Sequence, residues 1–324
     1  MIRYFYMSPY NDGHLNLAID EYFLDTVSPD DFILYLYINS NDVIIGRNQN
    51  AWKECNIAKM EADGVRLVRR ISGGGAVYHD TGNLNFSFIT GEKNYNVERQ
   101  TQMILAAVRY LGIEAEFSGR NDITVNGRKF SGNAFASRRQ NRQHHGTLLI
   151  NANMTRLSEY LNVSEQKIRS KGVESVRARV CNLTEIIPDL TVEKAIEALR
   201  KAYREHYGEF EELSDDFLDK EKVDDLYRKH SSWEWRMGRT PEFDYEIDTR
   251  FVWGGVQLYL SMENGTIKNV SLYTDALDTS LPQIVEDALT GVLFRSDDMA
   301  DSLIAVSDDQ SIHDIAEYLR NLRL

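Results

Sequence analysis

Residues 69–83 read Arg69-Arg70-Ile71-Ser72-Gly73-Gly74-Gly75-Ala76-Val77-Tyr78-His79-Asp80-Thr81-Gly82-Asn83, and the chain is best read outward from here. Consecutive glycines expose backbone N–H groups and let a ligand approach the main chain closely. Two arginines stand just before them, so the loop can cradle an anion. It lacks the Gly-Lys-Ser/Thr that closes a P-loop, and it is not the Gly-x-Gly-x-x-Gly of a dinucleotide site. A flexible turn between two strands explains the same glycines, and glycine content alone does not separate the two readings.

Around this loop the hydrophobic spacing is regular. Leu15, Ala18, Ile19, Tyr22 and Phe23 recur at helical intervals, which predicts an amphipathic helix over 14–26. Residues 32–38 and 43–46 are short, apolar and β-rich, with a turn at Asn39, Ser40 and Asn41. Residues 83–89 alternate Asn83, Asn85 and Ser87 with Leu84, Phe86 and Phe88, the pattern of a half-buried strand. Helices are expected over 98–111, stopped by Gly112, and over 192–207, capped by Thr191 and followed by Gly208. Residues 147–151 read as a strand, and the acidic stretch 209–226 reads as a solvated connector. Near Pro241 the pattern changes: Val256, Leu258 and Leu260 alternate, Asn264-Gly265 is a hairpin turn, Ile267 to Tyr273 returns, and helices follow around 282–294 and 310–321. Strands and helices interleave without regular βαβ spacing, which predicts an α/β (α+β) chain: a mixed sheet flanked by helices, with a small α+β domain behind it.

Composition narrows the function. The chain has 324 residues, 42% hydrophobic and 27% charged, with a net charge of −13. Such an acidic chain is a poor general binder of nucleic acid or of anionic membranes. Cys55 and Cys181 are too few for a disulfide framework or a cysteine-rich zinc site, and fit a reducing cytoplasm. The N-terminus lacks a signal-peptide pattern, and no apolar run approaches the ~18 residues of a membrane span. Neither Gly-x-Ser-x-Gly nor His-Glu-x-x-His occurs, against an α/β-hydrolase and a zinc peptidase of that type.

Three further segments carry charge that could serve chemistry. Gly119-Arg120-Asn121-Asp122 precedes Gly127-Arg128-Lys129-Phe130-Ser131-Gly132, which sets a lysine between glycines beside a carboxylate. A lysine there can neutralise a phosphate and Asp122 can hold a hard cation, although a polar hairpin with a solvated lysine accounts for the same residues. Arg138-Arg139-Gln140-Asn141-Arg142-Gln143-His144-His145 makes the region basic: from 120 to 145 there are six Lys/Arg against one acidic residue. That predicts a cationic patch for an anionic ligand or partner. Adjacent histidines on a strand face opposite ways, so they are not read as a metal site. The last segment, Ser170-Lys171-Gly172 to Arg179-Val180-Cys181, says little alone.

Taken in order, these segments resemble the bacterial lipoate–protein ligase A family. The resemblance also runs through Asn16-Leu17-Ala18, Val43-Ile44-Ile45-Gly46-Arg47, Trp52-Lys53-Glu54-Cys55-Asn56, Ser231-Ser232-Trp233-Glu234-Trp235 and Trp253-Gly254-Gly255-Val256, and so covers nearly the whole chain. It implies a biotin/lipoate ligase-like catalytic domain over 1–243 and a mobile small domain over 250–324. The implied reaction activates lipoate with Mg·ATP to lipoyl-AMP and then passes the lipoyl group to a lysine of an acceptor. The implied acceptors are lipoyl domains of 2-oxoacid dehydrogenase E2 subunits, the glycine-cleavage H protein, or both.

The resemblance carries roles residue by residue. Lys129 matches the essential lysine and would stabilise charge in both steps. Arg70 and Gly75-Ala76-Val77-Tyr78 match the adenylate loop, Asn83 would hold adenine, and Asn121 and Asp122 would face phosphates and Mg²⁺. Leu17, Tyr37, Val43, Arg70, Ser72, His79 and Lys129 match positions around lipoate, with Tyr37 standing where tryptophan is frequent. The basic loop Arg138–Arg142 would close over the adenylate or meet an acidic acceptor. Cys181 stands where threonine is common, which opens an alternative: an ATP-independent octanoyl or lipoyl transferase working through a cysteine acyl-enzyme.

Overall fold

The computed structural model describes residues 2–118, 121–161, 180–237 and 244–322. In chain order the strands are β1 (Arg3–Met7), β2 (Phe32–Ile38), β3 (Asp42–Ile45), β4 (Arg66–Arg69), β5 (Val77–His79), β6 (Asn83–Gly91), β7 (Glu116–Ser118), β8 (Asp122–Val125), β9 (Arg128–Arg138), β10 (Asn141–Leu149), β11 (Glu211–Glu212), β12 (Tyr245–Arg250), β13 (Gly255–Glu263) and β14 (Thr266–Thr274). The large sheet has the order β11-β1-β2-β6-β10-β9-β8-β7. Strand β1 runs parallel to β2 and β11 and the other neighbours are antiparallel, so the sheet is mixed as expected. A second sheet has β3 between β4 and β5. The turn at 39–41 therefore joins strands of different sheets, with Asn41 at φ 59 making the bend.

Alternation along β2 divides the core. Phe32, Leu34 and Leu36 enter one apolar cluster with the helices Val97–Tyr110 and Val192–Tyr207, while Ile33, Tyr35 and Tyr37 enter another with the helix Gly13–Thr26. Each such buried side chain contributes about 1.5–3 kcal/mol relative to exposure. Both long helices match their spacing, with Gly112 at φ 84 and Gly208 at φ 93 just past their ends. The first helix departs from the amphipathic expectation: residues 16–24 are all buried. It packs on the large sheet, on β4 and on the helix Lys220–Ser231, so residues 16–24 are covered all round.

The strand at 83–89 is also corrected. It extends to Gly91 and is buried at every position, not half-buried. Its apolar face meets the main core, and its Asn83, Asn85 and Ser87 face an interior lined by polar groups. The acidic stretch is more than a connector: Glu211 and Glu212 form an edge strand on β1, and Asp215 accepts from Tyr6 and Tyr10.

The helix Lys220–Ser231 is fastened through Glu21. This carboxylate, 1% exposed, accepts from Lys229 Nζ at 2.6 Å, His230 Nε2 at 2.7 Å and Arg138 at 2.7 Å. Burial alone would raise its carboxyl, but the bonds from His230 and Lys229 outweigh that and hold it at about 2. A depressed folded value stabilises the protein above the usual carboxylate range, and the stability is lost as pH falls toward the folded value. The expected size is ~3 kcal/mol. Denaturant titrations near pH 6 and pH 3 should show Glu21→Gln less stable than wild type at the higher pH, with the gap narrowed at the lower. A gap that stays constant removes Glu21 as the acid-sensitive group.

Residues 247–319 build a separate cluster, in which Val256, Leu258 and Leu260 pack on Leu303, Ile312 and Leu319. Strands β12, β13 and β14 form an antiparallel meander. Its second turn is Asn264-Gly265, at φ 54 and 77 as the dipeptide predicts. Three helices follow, Leu281–Leu289, Ser296–Val306 and Gln310–Asn321; the middle one was not expected.

Candidate functional site

Between the polar face of the large sheet and the second sheet lies a cavity of about 320 Å³. Strand β2 brings Tyr37 to it, β6 brings Asn83, β5 brings Val77, Tyr78 and His79, and the first helix brings Leu17. Arg70, Gly75, Ala76, Asn121 and Lys129 line the same wall, while Val43, Ser72 and Asp122 of the expected set do not. Residues scattered over more than a hundred positions thus converge on one concave site with apolar walls and a few polar groups, the usual form of a small-molecule site.

Arg70 is buried and donates to the carbonyls of Gly73 at 2.7 Å, Gly75 at 2.9 Å and Ile44 at 3.3 Å. Burial pulls it down to about 10, and among the described residues no carboxylate pairs with it. Its positive charge is therefore free to favour an anion in the cavity. Arg69 has a different task. It donates to Gly46, Arg47 and Gln49 on one side and to Trp235 and Arg236 on the other, and it does not line the cavity.

The glycine loop is neither a free turn nor an open cradle. Gly74 N–H donates to Ala276 O at 3.1 Å, and a Cβ on Gly73 would stand 2.4 Å from that same oxygen. The C-terminal segment thus takes one of the donors expected to face a ligand. It is held there as well by Thr274 N–H to Asn48 O and by Lys53, which pairs with Glu246.

The β8–β9 hairpin turns at Asn126-Gly127, both at positive φ, and places Lys129 at the cavity mouth. Its Nζ lies 2.7 Å from Asp122 Oδ1, with both side chains about one-third exposed. The Asp122 carboxylate, expected to face a cation, is here engaged by the lysine and does not line the cavity. Asn121 is locked to Asn133 by bonds of 3.1 and 3.0 Å. Asn133 is held in turn by His144 Nε2 at 2.9 Å. Lys129 O accepts from Cys181 N–H at 2.9 Å, so the cysteine packs beneath the lysine strand with its side chain buried. Burial pushes the Cys181 thiol up, away from the thiolate a nucleophile needs. Gly119, Arg120 and residues 170–179 lie outside the described residues.

Three expectations change. Val43 faces away from the cavity, into a cluster with Ile45, Ala51 and Cys55, and its neighbour Ile44 lines the cavity instead. Successive strand residues point to opposite faces, so the step from 43 to 44 exchanges them. Ser72 does not line the cavity either: its Oγ lies 2.6 Å from His145 Nε2, and the imidazole forms the wall. His145, set aside as one of an adjacent histidine pair, is therefore a wall residue, and alternation along β10 was the signal that separated it from His144. The third is the cationic patch. Arg128 pairs with Glu185, Lys129 with Asp122, Arg138 with Glu21 and Asp25, and Arg142 with Glu92. Of the described cations in that stretch only Arg139 has no ion-pair partner among the described residues, so most of the excess is spent inside the fold. Among the described residues no group of three or more His, Cys, Asp or Glu is placed to hold a metal, and no helix is long and apolar enough to cross a membrane.

Residues 12–204 match the lipoyl protein ligase A/B catalytic domain, and residues 240–321 match the bacterial lipoate protein ligase C-terminus. The chain belongs to the lipoate–protein ligase family. It is similar to P. falciparum LipL1, solved in complex with lipoate, at 28% identity and a TM-score of 0.87, over 98% of this chain and 99% of that one. It is also similar to the bipartite lipoate protein ligase of Thermoplasma acidophilum, studied with its E2 lipoyl domain, at 28% identity and a TM-score of 0.65, over 74% of this chain and 97% of that one. A lipoate-protein ligase A bound with ATP aligns at 27% identity and a TM-score of 0.63, over 74% of this chain and 99% of that one.

Proposed function

We propose that this chain is an ATP-dependent lipoate–protein ligase. A lipoate carboxylate oxygen attacks the α-phosphorus of ATP, and pyrophosphate leaves. The acceptor lysine amine then attacks the acyl carbonyl, the amide forms as the amine loses a proton, and AMP departs with the C–O electron pair. The observation that carries this reading is one cavity with Arg70, residues 75–79, Asn83, Asn121 and Lys129 on its wall. The ATP-bound and lipoate-bound relatives support both substrates.

Each residue has a task in this reading. Lys129, at the open mouth, stabilises charge first on the phosphoryl group and then on the acyl oxyanion. Arg70 favours the carboxylate and the adenylate, and Asn83 holds adenine against residues 75–78. Leu17 and Tyr37, with Ile44 in place of Val43, line the acyl tail's channel. Among the described residues Asp122 is the carboxylate paired with Lys129, and in this reading it would hold Mg²⁺ together with water and substrate phosphates. When bound, Mg²⁺ would neutralise phosphate charge.

In this reading residues 1–243 form the catalytic domain and 250–324 the small accessory domain, which withdraws from the glycine loop during the cycle. The acceptors are lipoyl domains of 2-oxoacid dehydrogenase E2 subunits, as the archaeal pairing supports, and the glycine-cleavage H protein. Both cysteines are free and buried, which suits the reducing cytoplasm.

The test is lipoate-dependent exchange of labelled pyrophosphate into ATP with no acceptor present. Exchange supports adenylation; its absence from a folded protein that binds lipoate overturns it. Cys181 supplies the second arm. A ligase keeps its acceptor lipoylation in Cys181→Ala within severalfold, at a stability cost of about 1–2 kcal/mol for the buried thiol. Loss of transfer in a folded variant that needs no ATP would instead establish the cysteine transferase.

A further inference from the structure

Successive residues of β10 face opposite ways, so His145 borders the cavity while His144 turns to the apolar side of the sheet. His144 is 1% exposed. Its ring lies against Phe86, Phe88 and Phe135 at centroid distances of 5.9, 5.7 and 4.9 Å. Polar atoms in such surroundings need partners. Asn133 decides which ring nitrogen carries the proton. Asn133 Nδ2 donates to Asn121 O at 3.0 Å, so the amide oxygen is the end that faces His144 Nε2, 2.9 Å away. An amide oxygen only accepts, and Nε2 therefore carries a hydrogen. Burial, with His145 beside it, holds the ring down at about 3, so it is neutral and its Nδ1 is bare. Nδ1 lies 2.9 Å from Gln100 Oε1, while Gln100 Nε2 is buried with no hydrogen-bond partner among the described residues. The two ends of an amide are alike in shape, and exchanging them gives Nδ1 the donor it needs.

The bond from His144 begins a chain that ends on the cavity wall. Asn133 N–H also donates to Asn121 O at 2.9 Å, and Asn121 Nδ2 donates back to Asn133 O at 3.1 Å. These bonds close the open end of the β8–β9 hairpin, one step beyond the Asp122–Gly132 pair. Asn121, Asn133 and the hairpin's Lys129 all line the cavity. A Cβ on Gly146 would stand 2.8 Å from Asn133 Oδ1 and 2.6 Å from Phe86 Cζ, so glycine there leaves the amide its path to His144. With the ring donor removed, Asn133 Oδ1 becomes a buried acceptor without a partner. The amide then turns to seek another donor and releases Asn121.

We propose that His144 is a positioning residue: through Asn133 it holds Asn121, and with it the hairpin that carries Lys129, against the nucleotide end of the cavity. This rests on the reading of the chain as an ATP-dependent ligase, in which Asn121 faces the phosphates. The acyl channel is built by Leu17, Tyr37 and Ile44 from other elements, so lipoate binding does not depend on the chain of bonds. Loss of the ring donor is expected to raise the KM for ATP about tenfold, the factor carried by ~1.4 kcal/mol.

The experiment uses the whole chain. Pyrophosphate exchange is followed against ATP at saturating lipoate, lipoate binding is measured by calorimetry without ATP, and the ¹⁵N spectrum of the histidine rings is recorded. Wild type should show a neutral His144 with its proton on Nε2. His144→Leu should raise the KM for ATP about tenfold and leave lipoate affinity within twofold. His144→Gln, which keeps a donor, should recover most of the loss. Asn133→Ala should resemble His144→Leu, and the double variant should be no worse than either, because both break one chain. A proton on Nδ1 in the wild type overturns the proposal without any variant. So does an unchanged KM for ATP, equal loss of ATP and lipoate affinity, or additive effects in the double variant, each leaving the ligase reading in place. A wild type that binds lipoate but exchanges no pyrophosphate overturns that reading and this proposal with it.

Discussion

Lys129→Ala is expected to reduce lipoate-dependent pyrophosphate exchange by about 10²–10³-fold, the loss that follows removal of one preorganised transition-state donor. The same change should cost less than about 1 kcal/mol of stability, because the Lys129–Asp122 pair is one-third exposed and such pairs are worth little. The two readouts therefore separate. Activity lost with folding intact assigns a chemical role to the ammonium; activity retained places the charge elsewhere and sinks the mechanism proposed for this residue. Arginine should not rescue, since a planar fork does not replace a compact ammonium. The neighbour gives a second probe. The lysine tail lies across Gly132, where a Cβ would stand 2.9 Å from Nζ and 3.0 Å from Cε. Gly132→Ala should therefore displace the ammonium and lower exchange by a smaller factor, since a flexible tail can yield.

Gly46→Ala should be among the most damaging single methyls in the neighbourhood of the site. A Cβ there would stand 2.0 Å from the carbonyl oxygen of Gly74. Backbone cannot rotate aside as a side chain can, so the loop itself must move. Its bonds to Arg70 through the Gly73 and Gly75 carbonyls, and to Ala276 through Gly74 N–H, would be strained together. Overpacking costs about 1–3 kcal/mol, occasionally more, and a clash with backbone belongs at the upper end. Gly75→Ala is the control, since nothing lies within 4 Å of its added carbon. It should stay within about 0.5 kcal/mol of wild type. Denaturant midpoints of the two variants decide the matter: equal midpoints would show that the loop shifts freely and is not seated as described.

Much of this was legible in local sequence, for reasons that are themselves local. The helices at 97–110 and 192–207 were marked by apolar spacing and by a glycine after each end, because helix formation depends on neighbours three and four residues apart. The Asn264-Gly265 turn needed only two residues able to take positive φ. The resemblance to a known family placed Lys129, Arg70 and Asn83 in one site because order and spacing along 324 residues carry more information than any one motif.

The remainder depended on what lies across space. Alternation along residues 83–89 identified a strand, but whether its polar face met water or a cavity depended on a second sheet supplied by residues 42–79. Val43 and Ile44 are equally apolar, and only the way β3 faces decided which of them borders the cavity. The basic excess at 120–145 looked like a binding patch because a sequence counts charges without their partners; Glu21, Asp25, Glu92 and Glu185 cancel most of it through contacts distant along the chain. The setting of His79 is the extreme case: Asn39 reaches its Nδ1 and is itself held by Asn16. The sequence by itself determined the family, the element pattern and the residues able to carry charge. The tertiary structure decided which of those charges are neutralised and which polar atoms remain unpaired, because both depend on distances between residues that only folding brings together.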